Sequence, residues 1–345
     1  MAVLVTGGAG YIGSHMVWTL LDAGEEVVVL DRLSTGFRWA VAPQARFYLG
    51  DVGDRALLRR IFAENAIDAI LHFAGSVVVP ESVAHPLRYY ENNTANTRTL
   101  IGEAVAAGIG HFIFSSTAAV YGRQPVPGPV PESGIVSPET PYGFSKLMSE
   151  IMLRDTAVAY DFNYVALRYF NVAGADVQGR TGQSTKGATH LIKVACEAAL
   201  GIRDHIDVYG TDYPTPDGSG VRDFIHVSDL VDAHLAALAY LRRGGAPLVA
   251  NCGYGRGFSV LEVLRAVMAM EKCSFKVNLC PRRQGDLGSV IADARLIGQE
   301  LGWAPKHDDL DLILRTALDW ERRLSQRAAT DLETIYRKLA SGRFR

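Results

Sequence analysis

Short apolar runs alternate with amphipathic segments along the first half of the chain. Six runs have the apolar character of buried strands, at residues 2–6, 26–30, 46–49, 69–72, 111–115 and 164–168. Between them apolar residues recur at helical spacing, as Ile12, Met16 and Leu20 do before Gly24 ends their helix. Further helices are predicted over 54–65, over 92–108 and from Tyr142 onward. Because strands that alternate with helices form parallel sheets covered on both faces, we predict a doubly wound parallel sheet of the α/β class over residues 1–172.

The second half of the chain has shorter segments and more turn residues. Gly, Thr, Asp and Pro interrupt it beyond Asn171, most densely at residues 213–218. We predict a smaller and less regular α/β lobe over residues 173–324, which would carry a substrate pocket. A helix over 227–241 and a strand over 247–252 suit a return to the main sheet, so we expect residues 222–252 to rejoin it.

The last segment, residues 325–345, carries five Lys or Arg residues against two acidic ones. Its apolar residues Leu332, Ile335, Tyr336 and Leu339 would share one side of a surface helix. We interpret this C-terminal extension as a docking helix or a frayed end of the chain rather than as a site for a partner.

The composition is that of an ordinary globular protein. Of the 345 residues 48% are hydrophobic, enough for a large core, and the formal net charge of -2 gives no reason to expect nucleic acid as a partner. No apolar run reaches membrane-spanning length and no signal peptide is recognised, so we expect a cytoplasmic protein that does not enter a membrane. The four cysteines lack paired spacing, which predicts reduced thiols and no metal site.

A glycine-rich loop follows the first predicted strand. Gly7, Gly10 and Gly13 lie between that strand and a helix, where glycines permit a tight turn and a close approach of backbone to pyrophosphate. This context predicts a Rossmann-type dinucleotide site rather than a purely structural glycine turn. Asp31 ends the second strand roughly 20 residues later, the spacing of a ribose-binding carboxylate that favours NAD over NADP. Arg32 weakens that preference, and an ordinary strand-end carboxylate is the alternative.

Tyr142 and Lys146 are one helical turn apart and would share a helix face. A tyrosine base near neutral pH needs its anion stabilised by roughly 4 kcal/mol, about what one ammonium supplies at a distance of ~4 Å. With the glycine loop, this pair indicates hydride chemistry on an alcohol carbon; by itself it would more often decorate a solvated helix. Thr117 follows a central strand and is our candidate for orienting the reacting hydroxyl, with a backbone cap as the alternative.

These motifs resemble the extended short-chain dehydrogenase/reductase superfamily, and within it the UDP-glucose 4-epimerase family. The resemblance covers about residues 1–324. The segments 6–15, 72–75 and 142–146 are typical of the whole superfamily, whereas three others are more specific for nucleotide-sugar epimerases, at residues 167–171, 220–227 and 282–286.

The resemblance implies an enzyme that binds NAD and inverts C4 of a UDP-hexose through a 4-keto intermediate. Tyr142 would take the proton of the sugar 4-hydroxyl, and Thr117 would position that hydroxyl. Lys146 would lower the pKa of Tyr142 and bond the nicotinamide ribose. The ketose would then turn in the pocket so that hydride returns to its other face. A homodimer is implied as well, through helices near 92–108 and 142–160, whose apolar faces could equally serve the intramolecular core.

The remaining site residues are also implied by the resemblance. Those expected at the cofactor, besides Gly7, Gly10, Gly13, Asp31, Tyr142 and Lys146, are Tyr11, Ile12, Asp51, Val52, Phe73, Ala74, Gly75, Asn92 and Phe170. Those expected at the substrate, besides Thr117 and Tyr142, are Asn171, His190, Leu191, Tyr209, Arg222, Arg283, Asp286 and Val290. Arg222 and Arg283 would hold the diphosphate and Asp286 a ribose hydroxyl, although each could form a structural ion pair instead.

Three positions depart from the usual pattern of the family. Val77 replaces a lysine near the cofactor, which predicts weaker retention of NAD. His190 replaces an asparagine at the diphosphate, so either a ligand or a structural histidine is compatible with it. Val290 replaces a tyrosine that narrows the sugar pocket, which suggests that N-acetylhexosamine derivatives are accepted, unless the valine is merely buried.

Two other functions are compatible with some of these motifs. A nucleotide-sugar 4,6-dehydratase or decarboxylase shares the loop, the tyrosine and the 4-keto intermediate, but Ala118 and Ala119 follow Thr117 where dehydratases need an acid and a base. A non-catalytic NAD-binding sensor is the second alternative. The intact Thr117, Tyr142 and Lys146 argue against it.

Overall fold

The structure is a computed structural model that describes residues 1–124, 128–283 and 286–340, with side chains described through residue 328. The strands are β1 (Ala2–Thr6), β2 (Glu26–Asp31), β3 (Arg46–Leu49), β4 (Ile67–His72), β5 (His111–Ser115), β6 (Asn163–Tyr169), β7 (Asn171–Ala173), β8 (His205–Tyr209), β9 (Val221–Arg222), β10 (Phe224–His226), β11 (Leu248–Cys252), β12 (Phe258–Ser259), β13 (Lys276–Cys280) and β14 (Ser289–Val290). The helices are α1 (Tyr11–Asp22), α2 (Arg55–Glu64), α3 (Val79–Ala84), α4 (Pro86–Tyr89), α5 (Asn96–Ala106), α6 (Pro141–Ala159), α7 (Leu191–Ala199), α8 (Val227–Arg242), α9 (Val260–Glu271), α10 (Arg295–Leu301) and α11 (Leu310–Ala340).

The main sheet has seven parallel strands in the order β11-β6-β5-β4-β1-β2-β3. Its strand order reverses between β1 and β4, so the chain winds outward in both directions from the centre. The predicted doubly wound sheet is therefore confirmed. Strand β11 pairs with β6, in the register Leu248 to Val165, although it follows part of the lobe in the sequence.

Two apolar clusters cover the faces of this sheet. On one face α1 and α8 bury residues such as Met16 and Leu238, and on the other α2, α5 and α6 bury residues such as Ile61, Leu100 and Leu153. Because both faces are covered, the central strands β1, β4 and β5 are continuous apolar runs rather than alternating ones.

The lobe is built from small sheets around a third apolar cluster. Strand β13 pairs with β8, strand β9 lies between β12 and β14, and β10 pairs with β7. Helices α7, α9 and α11 supply most of this core, including Cys196, Val267 and Leu314. The domain boundaries at residues 172 and 324 stay predictions.

Two helices differ in detail from the sequence pattern. The predicted helix 92–108 is a π-helical turn, Tyr90–Ala95, that continues into α5. At the C-terminus α11 is one helix of 31 residues. The side chains of Leu332, Ile335, Tyr336 and Leu339, which we expected on one side of it, lie outside the described residues. In the part of the chain that the structure describes, each helix falls short of the length or the hydropathy that crossing a bilayer requires.

Candidate active site

The glycine loop forms a cradle in which side chains would not fit. Gly7 has a φ of +71°, and a Cβ atom there would lie 2.6 Å from the backbone nitrogen of Ala74 at the end of β4. A Cβ atom on Gly13 would overlap the carbonyl oxygen of Gly7. Gly10 begins α1 without a side-chain cap, so the positive end of the helix faces the loop. These features fit the diphosphate of a dinucleotide.

The first two residues of α1, Tyr11 and Ile12, fix the helix to its surroundings. The hydroxyl of Tyr11 donates to the carbonyl oxygen of Gly174 in the lobe over 2.6 Å, and Ile12 packs on the apolar cluster under α1. Burial raises the pKa of the Tyr11 phenol well above its ordinary value. The side chain of Tyr11 therefore ties the cofactor half to the lobe.

Asp31 is held against the glycine loop by backbone donors. One carboxylate oxygen accepts from the amide of Ala9 over 2.9 Å, and the other accepts from the amide of Leu33 over 2.7 Å. Each carboxylate oxygen has a further lone pair, which leaves acceptors for ribose hydroxyls. The neighbouring Arg32 donates to Asp51 over 2.7 Å, so its guanidinium is engaged by a carboxylate of its own.

Asp51 and Val52 lie beyond the end of β3. Asp51 also accepts from the amide of Gly53 over 2.8 Å and from the side chain of Asn96 over 2.9 Å, which fixes it between this loop and α5. Val52 is 5% exposed and belongs to the core on that face. Both residues are held in place by contacts within the protein.

The segment Phe73, Ala74 and Gly75 follows β4 and passes close to α6, the helix that carries Lys146. Phe73 packs on the ring of His234, and Ala74 packs on the core. A Cβ atom on Gly75 would lie 3.6 Å from the Lys146 nitrogen, so the backbone of this segment approaches Lys146 closely. This motif therefore contributes its backbone, rather than its side chains, to the surroundings of Lys146.

Asn92 and its neighbour Asn93 stand in the π-helical turn. The Asn92 amide donates to the Ser76 hydroxyl over 2.9 Å. Asn93, 2% exposed, accepts from the amide of Ser76 over 2.7 Å and donates to the hydroxyl of Ser145 over 3.0 Å. Sequence reasoning missed Asn93, which joins the segment after β4 to α6. The two adjacent asparagines were the only sign of it in the sequence, because a π-helical turn has no clear sequence pattern.

The structure brings Tyr142, Lys146 and Thr117 together. Helix α6 packs tightly on the turn after β5, where a Cβ atom on Gly143 would overlap the carbonyl oxygen of Ala119. The Thr117 hydroxyl is near enough to the Tyr142 phenol to lower its pKa, and all three side chains are buried. The Thr117 hydroxyl also accepts from the amide of Ala119 over 3.1 Å. Thr117 therefore both caps the turn and contacts the phenol.

Burial dominates the protonation of this group. It raises the pKa of Tyr142 above 10.0, and the hydrogen bond with Thr117 offsets part of that rise. Burial lowers the pKa of Lys146 to about 8, and the Glu150 charge opposes that change. The ammonium of Lys146 donates to the carbonyl oxygen of Ser115 over 2.9 Å. In this structure burial raises the pKa of Tyr142 and only Thr117 lowers it, so the lowering by Lys146 that we expected stays a prediction.

A buried ion pair involves Glu150, which lies one helical turn after Lys146 on α6. Arg168 on β6 donates two hydrogen bonds to Glu150 on α6, of 3.0 and 2.6 Å, and the two side chains are 8% and 5% exposed. Ser116 also donates to Glu150, and Arg168 donates to the Tyr121 hydroxyl over 3.1 Å. Sequence reasoning used Arg168 as part of a motif but missed this network, which fixes α6 to the carboxyl ends of β5 and β6.

Phe170 and Asn171 lead from the main sheet to the lobe. Phe170 is partly buried and packs on the small apolar cluster of Val120, Tyr121 and Val130. The amide of Asn171 donates to the carbonyl oxygen of Asp223 over 3.0 Å, where β7 begins to pair with β10.

One pocket contains three of the expected substrate residues. Asn171, His190 and Leu191 line it, together with Gln183 and Trp320. The side-chain nitrogen of Gln183 lies 2.7 Å from His190 Nδ1. Because an amide nitrogen donates, this contact makes Nδ1 the acceptor and leaves the His190 proton on Nε2. His190 is exposed and can present that Nε2–H to an anion.

Arg222 is a cation without an opposite charge in direct contact. Its guanidinium donates to the carbonyl oxygen of Val221 over 2.9 Å, and it has no ion-pair partner among the residues the structure describes. Burial lowers its pKa, and the charge of the exposed Asp286 opposes that change. Val290 pairs in register with Arg222 across β9 and β14. Arg222, Asp286 and Val290, which we expected at the substrate, therefore lie close together.

Tyr209 and Arg283 form a second pair at the end of β8. The Arg283 guanidinium stacks on the Tyr209 ring, with its central carbon 3.6 Å from the ring centroid. Arg283 is exposed, and its carbonyl oxygen accepts from the amide of Asp286 over 3.2 Å. That hydrogen bond links this pair to the group around Arg222.

Asp223 is a structural carboxylate that sequence reasoning left without a role. It is fully buried and accepts from the amides of Tyr254, Gly255 and Ala292. Burial raises its pKa to about 6, against the effect of those hydrogen bonds. The motif around Arg222 thus combines an expected substrate ligand with a buried anchor. Within the described ranges no cluster of three His, Cys, Asp or Glu side chains is close enough to hold a metal ion.

The chain is similar to known proteins over most of its length. Residues 3–253 match the model of the NAD dependent epimerase/dehydratase family. The UDP-glucose 4-epimerase of Azospirillum brasilense is 55% identical over 324 residues, which are 94% of this chain and 93% of that protein. The structure of UDP-glucose 4-epimerase from Brucella ovis in complex with NAD is 43% identical, with a TM-score of 0.89 over 92% of this chain and 97% of the other. That of the UDP-Glc/GlcNAc 4-epimerase from Campylobacter jejuni is 47% identical, with a TM-score of 0.82 over 93% and 99%.

Proposed function

The chain belongs to the NAD dependent epimerase/dehydratase family, and on this basis we propose that it is an NAD-dependent epimerase that inverts C4 of UDP-hexoses. The observation that carries the proposal is the meeting of Tyr142, Thr117 and Lys146 beside the glycine cradle. Bound NAD supplies a reversible two-electron acceptor, so that C4 becomes a ketone and then an alcohol again with no net oxidation. The residues of the chain bind, orient and exchange the proton.

Tyr142 is the acid and base of this reaction. In the first half its phenolate accepts the proton of the sugar 4-hydroxyl, and in the second half its phenol returns a proton to the 4-keto oxygen. Thr117 lies beside the Tyr142 phenol and is assigned to orient the reacting oxygen. Burial keeps bulk water from competing for the proton.

Lys146 supplies the positive charge beside this group. A pKa of about 8 leaves most of its side chain charged at neutral pH. The carbonyl oxygen of Ser115 fixes the ammonium on the same face of α6 as Tyr142, and the remaining N–H donors are available to a ribose hydroxyl.

The nucleotide is held by the lobe. Arg222 has the properties of a diphosphate ligand, because it is desolvated and has guanidinium donors to spare. His190 adds a neutral Nε2–H donor, and Arg283 adds a second cation. Tyr209 and Leu191 are assigned to the uridine and Asp286 to its ribose. Such a site grips the nucleotide and leaves the hexose free to turn.

A 4,6-dehydratase is not favoured. Ala118 and Ala119 form a short 3-10 turn directly after Thr117, and neither carries a group that transfers a proton. The test of the function is incubation of the purified chain with UDP-galactose, followed by NMR. Formation of UDP-glucose is expected, and a 4-keto-6-deoxy product would contradict the assignment.

Acceptance of N-acetylhexosamines is part of the proposal. We assign Val290 to the sugar side of the pocket, where a valine takes less space than a tyrosine, and the structural relative from Campylobacter jejuni is a UDP-Glc/GlcNAc 4-epimerase. We expect UDP-GlcNAc turnover by Val290→Tyr to fall at least tenfold while UDP-glucose turnover is retained. Equal UDP-GlcNAc turnover by this variant and the parent would refute a gating role for Val290.

We also propose a homodimer that pairs α5 and α6 with the same helices of a second copy. Phe144, Met148 and Ile151 recur at helical spacing on α6 and are 41%, 41% and 39% exposed. A shallow hollow between α5 and α6, lined by Ile101 and Met152 among others, continues this surface. Sedimentation equilibrium should give twice the mass of the chain, and Met148→Glu should reduce it to a monomer. A monomeric parent would contradict the dimer.

A cytoplasmic location completes the proposal. All four cysteines are free thiols, and Cys196 and Cys252 are buried in apolar surroundings. This pattern suits a reducing compartment. Localisation of a tagged chain by cell fractionation would test it.

A further inference from the structure

The loop that follows β2 lies directly on the glycine cradle. The amide of Phe37 donates to the carbonyl oxygen of Ala9 over 2.9 Å, and a Cβ atom on Gly36 would lie 2.6 Å from that same carbonyl group. Asp31 binds the amide of Ala9 from the other side. The cradle is thus held between the end of β2 and the loop over residues 32–40, so the position of this loop sets the shape of the cradle.

The C-terminal helix α11 contacts this loop through Trp39. The rings of Phe37 and Trp39 are 5.2 Å apart, and the rings of Trp39 and Trp320 are 6.2 Å apart. The guanidinium of Arg327 lies over the Trp39 ring, 4.0 Å from its centroid. Trp39 therefore contacts both an aromatic ring and a cation of α11, and each contact is favourable.

Trp320 is itself rigidly placed. It is 7% exposed, its indole nitrogen donates to the hydroxyl of Ser184 over 3.2 Å, and Gly182 passes so close that a Cβ atom there would overlap the indole. One turn along the helix, Arg323 donates to the carbonyl oxygen of Gly179 over 2.8 Å. Helix α11 is fixed to the lobe at this level, so it acts as a rigid support for Trp39.

Trp320 also lines the pocket that contains Asn171 and His190. A single side chain therefore contacts both the loop over the cradle and the pocket assigned to the nucleotide sugar. Arg327 lies in the C-terminal extension, to which the family resemblance assigns no function.

We propose that Trp39, Trp320 and Arg327 form a clamp that holds the loop over residues 32–40 closed on the cradle and slows the release of NAD. The clamp would offset part of the weaker NAD retention that Val77 predicts. The inference rests on the proposed NAD-dependent function and adds to it a positioning role for the start of the C-terminal extension.

The clamp is tested by NAD binding rather than by turnover. The chain is stripped of NAD, and the Kd for NAD and the rate of NAD release are measured by calorimetry and by a chase with excess unlabelled cofactor. For Arg327→Ala we expect a rise in Kd of roughly three- to tenfold, the range for losing one cation–π contact that is partly shielded from water. Trp39→Ala should raise it further, and both variants should release NAD faster.

Three matched variants separate clamping from damage to the fold. Arg327→Lys keeps the cation and Trp39→Phe keeps an aromatic ring, so each should restore most of the affinity for NAD. Arg322→Ala removes a neighbouring guanidinium of α11 that bonds Glu271 and Asp319 instead, and it should leave NAD binding unchanged. The melting temperature without NAD should be the same for Arg327→Ala and Arg322→Ala.

The outcomes distinguish the two proposals. If the parent binds NAD and both alanine variants bind and release it as the parent does, the clamp is wrong and the epimerase function stands. If the parent chain shows no affinity for NAD, the proposed function fails and the clamp fails with it.

Discussion

The two ends of the reaction site are held in opposite ways. Around Tyr142 the polar side chains are bonded within the protein: Lys146 to the carbonyl oxygen of Ser115, Asn93 to the hydroxyl of Ser145 and Arg168 to the carboxylate of Glu150. On the nucleotide side, Arg222 and Arg283 contact a carbonyl oxygen and an aromatic ring and, among the residues described, no carboxylate. The difference teaches that the end to which we assign the chemistry is preorganised by the fold, whereas the end to which we assign the anion keeps cations for a ligand.

The largest effect should come from the proton-transfer group itself. Tyr142→Phe removes only the hydroxyl, so the preorganised end should keep its shape while kcat falls by roughly 10²- to 10⁴-fold, the usual contribution of general acid–base catalysis. Steady-state kinetics with UDP-galactose measures this. Tyr160→Phe, at the exposed end of α6, is the control and should keep full activity. Sugar inversion at the parental rate by Tyr142→Phe would remove the basis of the mechanism.

The next effect tests whether the catalytic end depends on its internal bonds. Arg168→Met leaves Glu150 buried without its partner, which should cost about 3–5 kcal/mol in the free energy of unfolding. Urea denaturation followed by circular dichroism measures this loss. The matched variant is Arg60→Met, which breaks an exposed pair with Glu64 and should cost about 0.5 kcal/mol or less. Similar stabilities for both variants would show that the buried pair does not support the site.

The smallest of the three effects concerns the nucleotide end. Arg222→Ala should weaken binding of UDP by roughly 10- to 100-fold, since charge-assisted hydrogen bonds contribute about 1.5–3 kcal/mol. Because Arg222 has no ion pair among the described residues, the free energy of unfolding without ligand should change by less than about 1 kcal/mol. Isothermal titration with UDP gives the affinity, and Arg256→Ala, which breaks a surface pair with Asp308, is the control. A large loss of stability with unchanged UDP affinity would reverse the assignment of this residue.

Features that follow from local backbone needs could be predicted from the sequence. Gly7 and Gly13 had to be glycines because of the turn and the close packing, and the structure has no room for a Cβ atom at either position. The alternation of strands and helices likewise determined the parallel sheet. Tyr142 and Lys146 share a face because helical geometry leaves no other arrangement.

Features that depend on contacts between distant segments could not be predicted. The π-helical turn that aims Asn93 at Ser145 is set by the packing of α5 against α6, and propensity does not reveal it. The pairing of Arg168 with Glu150 and the three bonds to Asp223 join residues far apart in the chain. The clamp around Trp39 also needed the fold, because Trp320 lies near the other end of the sequence.

Strand β11 enters the main sheet late, and this order constrains how the chain folds during synthesis. Until residues 248–252 have left the ribosome, one side of β6 is an open edge that is able to pair with another chain. Much of the lobe is translated before that edge is covered. The N-terminal domain with the glycine cradle therefore cannot mature as an independent unit. A ribosome-stalled chain that ends shortly after Asn171 should therefore recruit chaperones or aggregate, whereas one extended well beyond Cys252 should become resistant to protease.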